Sequence, residues 1–348
     1  MTREEYLLKL ESKLSQYSDD VKNDIISDYI EHFKEGKREG KSDEEIIEEL
    51  GDIEEMIEEI DEENKSNSKE ESIKDESANS SCFFTSHFSS LVVDTPDVDI
   101  ILIPYSGEIK ADLFDTDDNY YIESRENGNE LVLEVKKDKK GGFFSFFNSG
   151  DGRIEVRLPN GLKRVRATSK SGDICSENLI CGELKAKSAS GDVKLRDMKI
   201  ENGLLSSVSG DVSLKSLSFF SSLVLSSTSG DVELENGDGK SIEASTVSGD
   251  IEIEGEIKDI KLTSISGNIS LEPGSTIKEF TAKSTSGDVS IDLFNIVGAS
   301  IETKSTSGRI YVKGDGVTSE NKNHYTYGNQ EARISATTIS GEIDISVR

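Results

Sequence analysis

Apolar residues fall into three regimes along this chain. Over residues 2–63 they recur at helical spacing: Tyr6, Leu7, Leu10 and Leu14; Val21, Ile25, Ile26, Tyr29 and Phe33; Ile46, Ile47 and Leu50; Ile53, Met56, Ile57 and Ile60. Each set makes one apolar stripe on a helix. Thr2 with Glu5, Ser42 with Glu45 and Asp52 with Glu55 have the spacing of capping boxes, and Ser18 is placed to cap a helix beginning near Asp19. Gly36, Gly40 and Gly51 supply stops. From Asn64 to Ser81 the text NKSNSKEESIKDESANSS has almost nothing to bury, so it predicts an extended, disordered tether.

Beyond it the alternation is that of strands. Ser-Gly followed by a polar residue and then Ile or Val returns with its glycine at Gly172, Gly191, Gly210, Gly230, Gly249, Gly267, Gly287, Gly308 and Gly341, at spacings of 19, 19, 20, 19, 18, 20, 21 and 33 residues. A period this regular predicts a solenoid, whose units bury their apolar faces only by stacking. Seven positions before the glycine stands an apolar residue in most repeats (Val165, Leu184, Leu223, Ile242, Ile260, Phe280, Ile301, Ile334), and three before it always Ser or Thr. These odd offsets share one strand face, so they point inward, with side chains shrinking toward the glycine. Two and four positions after it, Val193 and Leu195, Val212 and Leu214, Val232 and Leu234, Ile251 and Ile253 resume the inward face with parity shifted by one. A sharp corner at Gly-Asp produces that shift, and these glycines are the structural turn residues.

The expected architecture is mainly β: a parallel β-helix of rungs of about 19 residues behind a small α-helical domain. Residues 1–63 form the head, 64–81 the tether and 82–348 the solenoid, with 82–160 as its cap and first irregular coils and 161–348 as the repeats. At ~4.8 Å per rung the nine repeats span on the order of 40 Å. The segments at the opposite end of each rung, such as RDMKIEN, KSLSFFS and NGDGKS, vary in length and are expected to project as loops. Gly314 to Gln330 interrupts the period and is expected to fold over or beside the final rung.

Two resemblances follow from these residues. YLLKLESKLSQYSDDVKNDIISDYIEHFKEGKREGKSDEEIIEELGDIEEM resembles the bacterial HAAS signalling domain, with its Leu-x-x-Leu first helix and a closing segment matched by Gly40, Lys41, Ser42, Glu45, Leu50, Gly51 and Asp52. Where that family usually has Pro next, this chain has Ile53. The resemblance implies a protein partner, a PadR-type transcriptional regulator. RIEVRLPNGLKRVRATSKSGDI with its repeated SxSGD(V/I) resembles a bacterial β-strand-repeat family of unknown function that carries an adhesin label, across about residues 90–348. That likeness implies a parallel β-helix.

Charge and chemistry narrow the function. Sixty-nine acidic against 40 basic residues give a net charge of −29, which repels phosphate backbones and argues against direct nucleic-acid binding. Cys82, Cys175 and Cys181 have neither CxxC nor Cys/His spacing, so neither a disulfide framework nor a zinc site is expected. No apolar run approaches the ~18 residues that cross a bilayer, and the first residues lack the pattern of an export signal, so a cytoplasmic protein is expected. His32, His87 and His324 lie in separate segments and no catalytic or phosphate-binding motif appears, so neither an enzyme nor a cofactor is expected.

Two features have open readings. The column Asp173, Asp192, Asp211, Asp231, Asp250, Asn268 and Asp288, ending in Arg309 and Glu342, either closes each turn onto nearby backbone N–H groups or gathers a cation. Phe143, Phe144, Phe146 and Phe147 stand beside Lys136, Lys137, Lys139 and Lys140; they either meet a membrane or partner groove or plug the end of the solenoid. Together these readings predict a non-enzymatic regulatory scaffold: the head docks a signalling protein and the solenoid presents a repetitive surface. The competing class is a cell-envelope adhesion module.

Overall fold

A computed structural model describes residues 2–14, 22, 26, 29–30, 33–34, 37, 41–50, 53, 80–85, 87–114, 116, 120–137 and 152–348. They belong to two compact units, a helical one within Met1–Ser77 and a β unit within Ala78–Lys137 and Asp151–Arg348.

In the helical unit the capping residues do what their spacing predicts. The Thr2 hydroxyl accepts from the Glu5 N–H at 3.3 Å while the Glu5 carboxylate accepts from the Thr2 N–H at 2.9 Å, starting the helix Arg3–Lys13. Ser42 and Glu45 make the same reciprocal pair ahead of Asp43–Leu50. Tyr6 and Leu10 from the first helix, Leu14 at its C-cap, and Ile46 and Leu50 from the second helix bury with Tyr29, Phe33 and Ile53. Tyr6 stacks on Tyr29 and meets Phe33 edge-on, both at 6.0 Å between ring centroids. The Asp52–Glu55 and Ser18 caps and the three glycine stops lie outside the described residues, as does most of the expected tether. Ser80 and Ser81, at the tether's end, are already in the strand Ser80–Phe84.

The β unit is a β-solenoid. Before the corner, Val165, Leu184, Gly203, Leu223, Ile242, Ile260 and Phe280 stack residue upon residue in parallel strands. After it, Ile174, Val193, Val212, Val232, Ile251, Ile269 and Val289 do the same. All but Gly203 and the polar members of the rungs contribute to one continuous apolar core.

The edge opposite the corner differs from the loops expected there. Val193–Ser206, Val212–Ser226, Val232–Ser245 and Ile251–Thr263 run through it as unbroken strands of 13 to 15 residues. Each of the first three bends at one residue with positive φ, Asp197 (51°), Ser216 (55°) and Asn236 (56°), a region that Asp and Asn enter more readily than most side chains. The variable segments therefore point apolar residues inward, with Met198, Ile200, Leu217 and Phe219 all buried. Continuing the ladder pairs backbone groups that a projecting loop would leave to solvent.

At both ends, rung order departs from chain order. Ser90–Thr95 lies between Glu130–Lys137 and Leu162–Ser169, and Asp99–Pro104 lies between Arg153–Leu158 and Ile174–Glu177. At the other end Ala332–Thr338 lies between Glu279–Lys283 and Gly298–Ser305, while Ile343–Val347 lies between Val289–Leu293 and Ile310–Lys313. The last repeat is thus the penultimate rung, and the spacing of 33 marks the chain passing over its place and returning to fill it. Antiparallel strands cover the outermost rungs: Ile109–Phe114 and then Ser80–Phe84 on one sheet, Tyr120–Asn127 on the other, and His324–Gly328 on Gly298–Ser305. Such covers remove most of the exposed strand edge.

Candidate functional site

The corner is built from three residues per rung. A Cβ on Gly191 would come within 2.2 Å of the Gly172 carbonyl oxygen, and one on Gly249 within 2.0 Å of that of Gly230, so the rungs approach at a distance only glycine allows. The same overlap aligns Gly210, Gly230, Gly267 and Gly287 on the glycine of the rung before; Gly341 rests on Gly287 and Gly308 on Gly341, while Gly172 rests on Val98.

Three positions earlier, most of the hydroxyls serve two rungs, while Ser169 and Ser264 accept from their own Gly172 and Gly267 N–H groups. Ser227 Oγ accepts from its own Gly230 N–H at 3.0 Å and donates to the Gly210 carbonyl of the rung before at 2.9 Å. Ser188, Ser207, Thr246, Ser284, Thr338 and Ser305 repeat this pair of bonds. Burial of these small polar groups is tolerated because both of their bonding directions are used.

The aspartates reach across rungs rather than closing their own turns. Asp99 Oδ1 accepts from the Asp173 N–H at 2.7 Å, and Asp173, Asp192, Asp211, Asp231, Asp250 and Asn268 each accept from the corresponding N–H of the next rung at 2.7 to 3.0 Å. Asp288 closes the series on the Glu342 N–H at 2.7 Å. Among the described residues no group of His, Cys, Asp and Glu is arranged to hold a metal ion. The sequence did contain a signal for this role: Asn268 keeps the accepting oxygen, and the acidic residue gives way to Arg309 in the outermost rung, which has no further rung to cap. Around Asp192, burial pulls the carboxyl pKa up, but the Lys194 ammonium at 2.9 Å and the Asp211 N–H outweigh it, so the net shift is downward. Lys194 also meets Asp173 at 3.1 Å, and both carboxylates hold its pKa above the usual range.

With serine, glycine and aspartate committed to the stack, the corner exposes its intervening positions. Ser190, Ser209, Ser229, Ser248, Ser266 and Ser286 are exposed, as are Val208, Val247, Ile265 and Ile339 beside them. The opposite edge carries an open groove of about 1100 Å³ lined by Ile180, Lys199, Phe219, Phe220, Lys240 and Lys258 among others. Phe220 is 82% exposed there, turned outward beside the buried Phe219 where the register slips before Ser222. Cys175 and Cys181 lie on adjacent rungs as free thiols, and burial pushes that of Cys181 up to about 12. His87 and His324 belong to opposite ends of the unit, while His32 and the four candidate phenylalanines, Phe143, Phe144, Phe146 and Phe147, lie outside the described residues. Among the described residues no helix is long and apolar enough to cross a membrane.

Residues 88–296 and 255–346 match the family described as Toastrack DUF4097, and residues 5–59 match HAAS. No curated protein matches the chain. Solved structures similar to this chain include a candidate cell adhesion protein from Clostridium sporogenes, 13% identical, covering 77% of this chain and 99% of its own, with a TM-score of 0.21. A candidate adhesin from Bacteroides fragilis is 15% identical over 76% of this chain and 95% of its own, with a TM-score of 0.45. Another from Parabacteroides merdae is 10% identical over 77% and 94%, with a TM-score of 0.44.

Proposed function

Because this chain belongs to the Toastrack DUF4097 family and carries a HAAS module ahead of it, we propose that it is a non-enzymatic, cytoplasmic regulatory scaffold. In this reading the head, residues 1–63, docks a signalling protein of the PadR-regulator class. A tether ahead of Ser80, where the first strand of the β unit begins, lets the solenoid present its surface to a second protein. The observation that carries the reading is the use of the repeats' polar residues. The buried serines and threonines and the aspartate column are spent on rung-to-rung bonds, which supports a role in which the solenoid offers a partner its surface and strand edge.

Co-purification from cells tests it. Full-length protein should retain a PadR-type regulator that protein lacking residues 1–63 does not; equal retention by both removes the docking role. A cell-surface pool on fractionation would instead favour an adhesion module. For Phe143, Phe144, Phe146 and Phe147 we propose a peripheral contact with a membrane or partner. Replacing all four with Ser should abolish vesicle sedimentation without lowering the melting temperature; a lowered melting temperature alone assigns them to plugging the fold.

A further inference from the structure

The outermost rung at the Gly308 end is covered on one side only. Its first half, Gly298–Ser305, pairs with the antiparallel strand His324–Gly328. The second half, Ile310–Lys313, has Ile343–Val347 as its one strand neighbour among the described residues. The direction of the ladder fixes which backbone groups this leaves open. Val193 N–H donates to the Asp211 carbonyl at 2.8 Å, Val212 N–H to that of Asp231 at 2.9 Å, and so along the stack until Ile343 N–H donates to that of Arg309 at 2.9 Å. In a parallel pair, a residue that donates toward one neighbour also turns its carbonyl to it, so the second and fourth positions after each glycine aim both groups at the next rung. Ile310 and Val312 are those positions here, and no described strand lies beyond them.

Charge reverses at the same place. The outward residues after the corner are Asp231, Glu233 and Glu235 in one rung and Asp250, Glu252 and Glu254 in the next, but Arg309, Tyr311 and Lys313 in this one. The Arg309 guanidinium lies 3.4 Å from the Tyr311 hydroxyl, and the Lys313 ammonium lies 5.1 Å from that ring's centroid. Lys313's ion pair with Asp344 is long, at 3.6 Å, and exposed on both sides. A second copy of this edge in antiparallel pairing would set Arg309 against Lys313, so the edge repels itself.

We infer that Ile310–Lys313 takes up, as an added strand, an extended acidic segment of a partner protein. Carboxylates at alternate positions of that segment meet Arg309 and Lys313, and β-branched or leucine side chains between them continue the apolar core. The strand that fits best has the pattern of the chain's own acidic rungs. This inference rests on reading the solenoid as a protein-binding surface and is independent of what the head binds.

The probe is a labelled peptide copying Ser229–Asn236, SGDVELEN, titrated with full-length protein and followed by anisotropy, against the charge-reversed SGKVKLKN. Expected is saturable binding of SGDVELEN that weakens with added salt, and binding of SGKVKLKN at least about tenfold weaker, roughly 1.4 kcal/mol. R309E/K313E should exchange the two preferences. Val312→Pro should abolish binding while leaving the melting temperature in place, because proline is tolerated on an edge strand where its N–H would face outward. Equal binding of both peptides, no saturation, or unchanged titrations in R309E/K313E overturns the inference. A lowered melting temperature in Val312→Pro would leave the charge exchange as the deciding result. Capture of a regulator by the head should be the same in all these variants, so its failure would be a separate outcome.

Discussion

Ser227→Ala isolates the bond on which the corner turns. The substitution removes an oxygen that accepts from Gly230 N–H at 3.0 Å and donates to the Gly210 carbonyl at 2.9 Å, at a site only 6% exposed. An N–H left unpaired in such a place costs about 1–3 kcal/mol, and the lost donation about 0.5–1.5 kcal/mol more. A total near 2–3 kcal/mol is expected. With a urea slope of about 3 kcal/mol/M, the midpoint should fall by roughly 0.7–1 M. Repeat arrays unfold in neighbouring groups of rungs, so amide exchange at Gly230 supplies a local reading, with protection falling there before it falls at distant rungs. Two controls sharpen the result. Ser227→Thr should be nearly neutral because Thr246 makes the same two bonds one rung on, and Ser229→Ala, at an exposed position, should change the midpoint little. If Ser227→Ala costs less than about 0.5 kcal/mol, or Ser227→Thr costs as much as the alanine, the two-rung role of the hydroxyl is wrong.

Asp231→Asn keeps the oxygen that accepts from Asp250 N–H, as Asn268 does naturally, so its stability should stay within about 0.5 kcal/mol of the parent; Asp231→Ala should lose about 1 kcal/mol, both read by urea unfolding. Truncation after Gln330 removes a rung from inside the stack, so limited proteolysis should cut throughout 294–330; cleavage confined to the new terminus would mean that the rungs beyond Gly287 stand without it. Iodoacetamide at pH 8 should label Cys181 only after unfolding, since burial favours its neutral thiol. Because its native pKa is raised, the stability it contributes is complete below about pH 9 and fades as pH climbs toward about 12. A Cys181→Ala variant should therefore lose less stability than the parent over that alkaline range.

The period of the glycines and the parity shift beside them were enough to read the corner from sequence, because both follow from one local rule: a side chain alternates faces until a turn resets it. The opposite edge was harder to read. RDMKIEN and KSLSFFS are polar and uneven, and their inward residues, Met198, Ile200, Leu217 and Phe219, follow the alternation only after one positive-φ residue, Asp197 or Ser216, has shifted it by a position. The interleaved ends were hidden for a different reason. Ser90–Thr95 and Ala332–Thr338 look like ordinary strands, and nothing local says which neighbour each will choose among rungs of nearly equal pattern. The aspartate column stood between these cases: its residues were visible, but their partners lie 18 to 20 positions away in most rungs, beyond the reach of a turn motif.

The interleaving also limits how such an array changes length over evolutionary time. A gene duplication copying the final repeat would add a coil with no vacant place, because the stretch encoding Ala332–Val347 is already enclosed on both sides. Copies made among the central units, where order in the gene and order in the stack agree, need only one more identical neighbour. Relatives of different lengths should therefore vary in the number of middle units and share the same two closing arrangements.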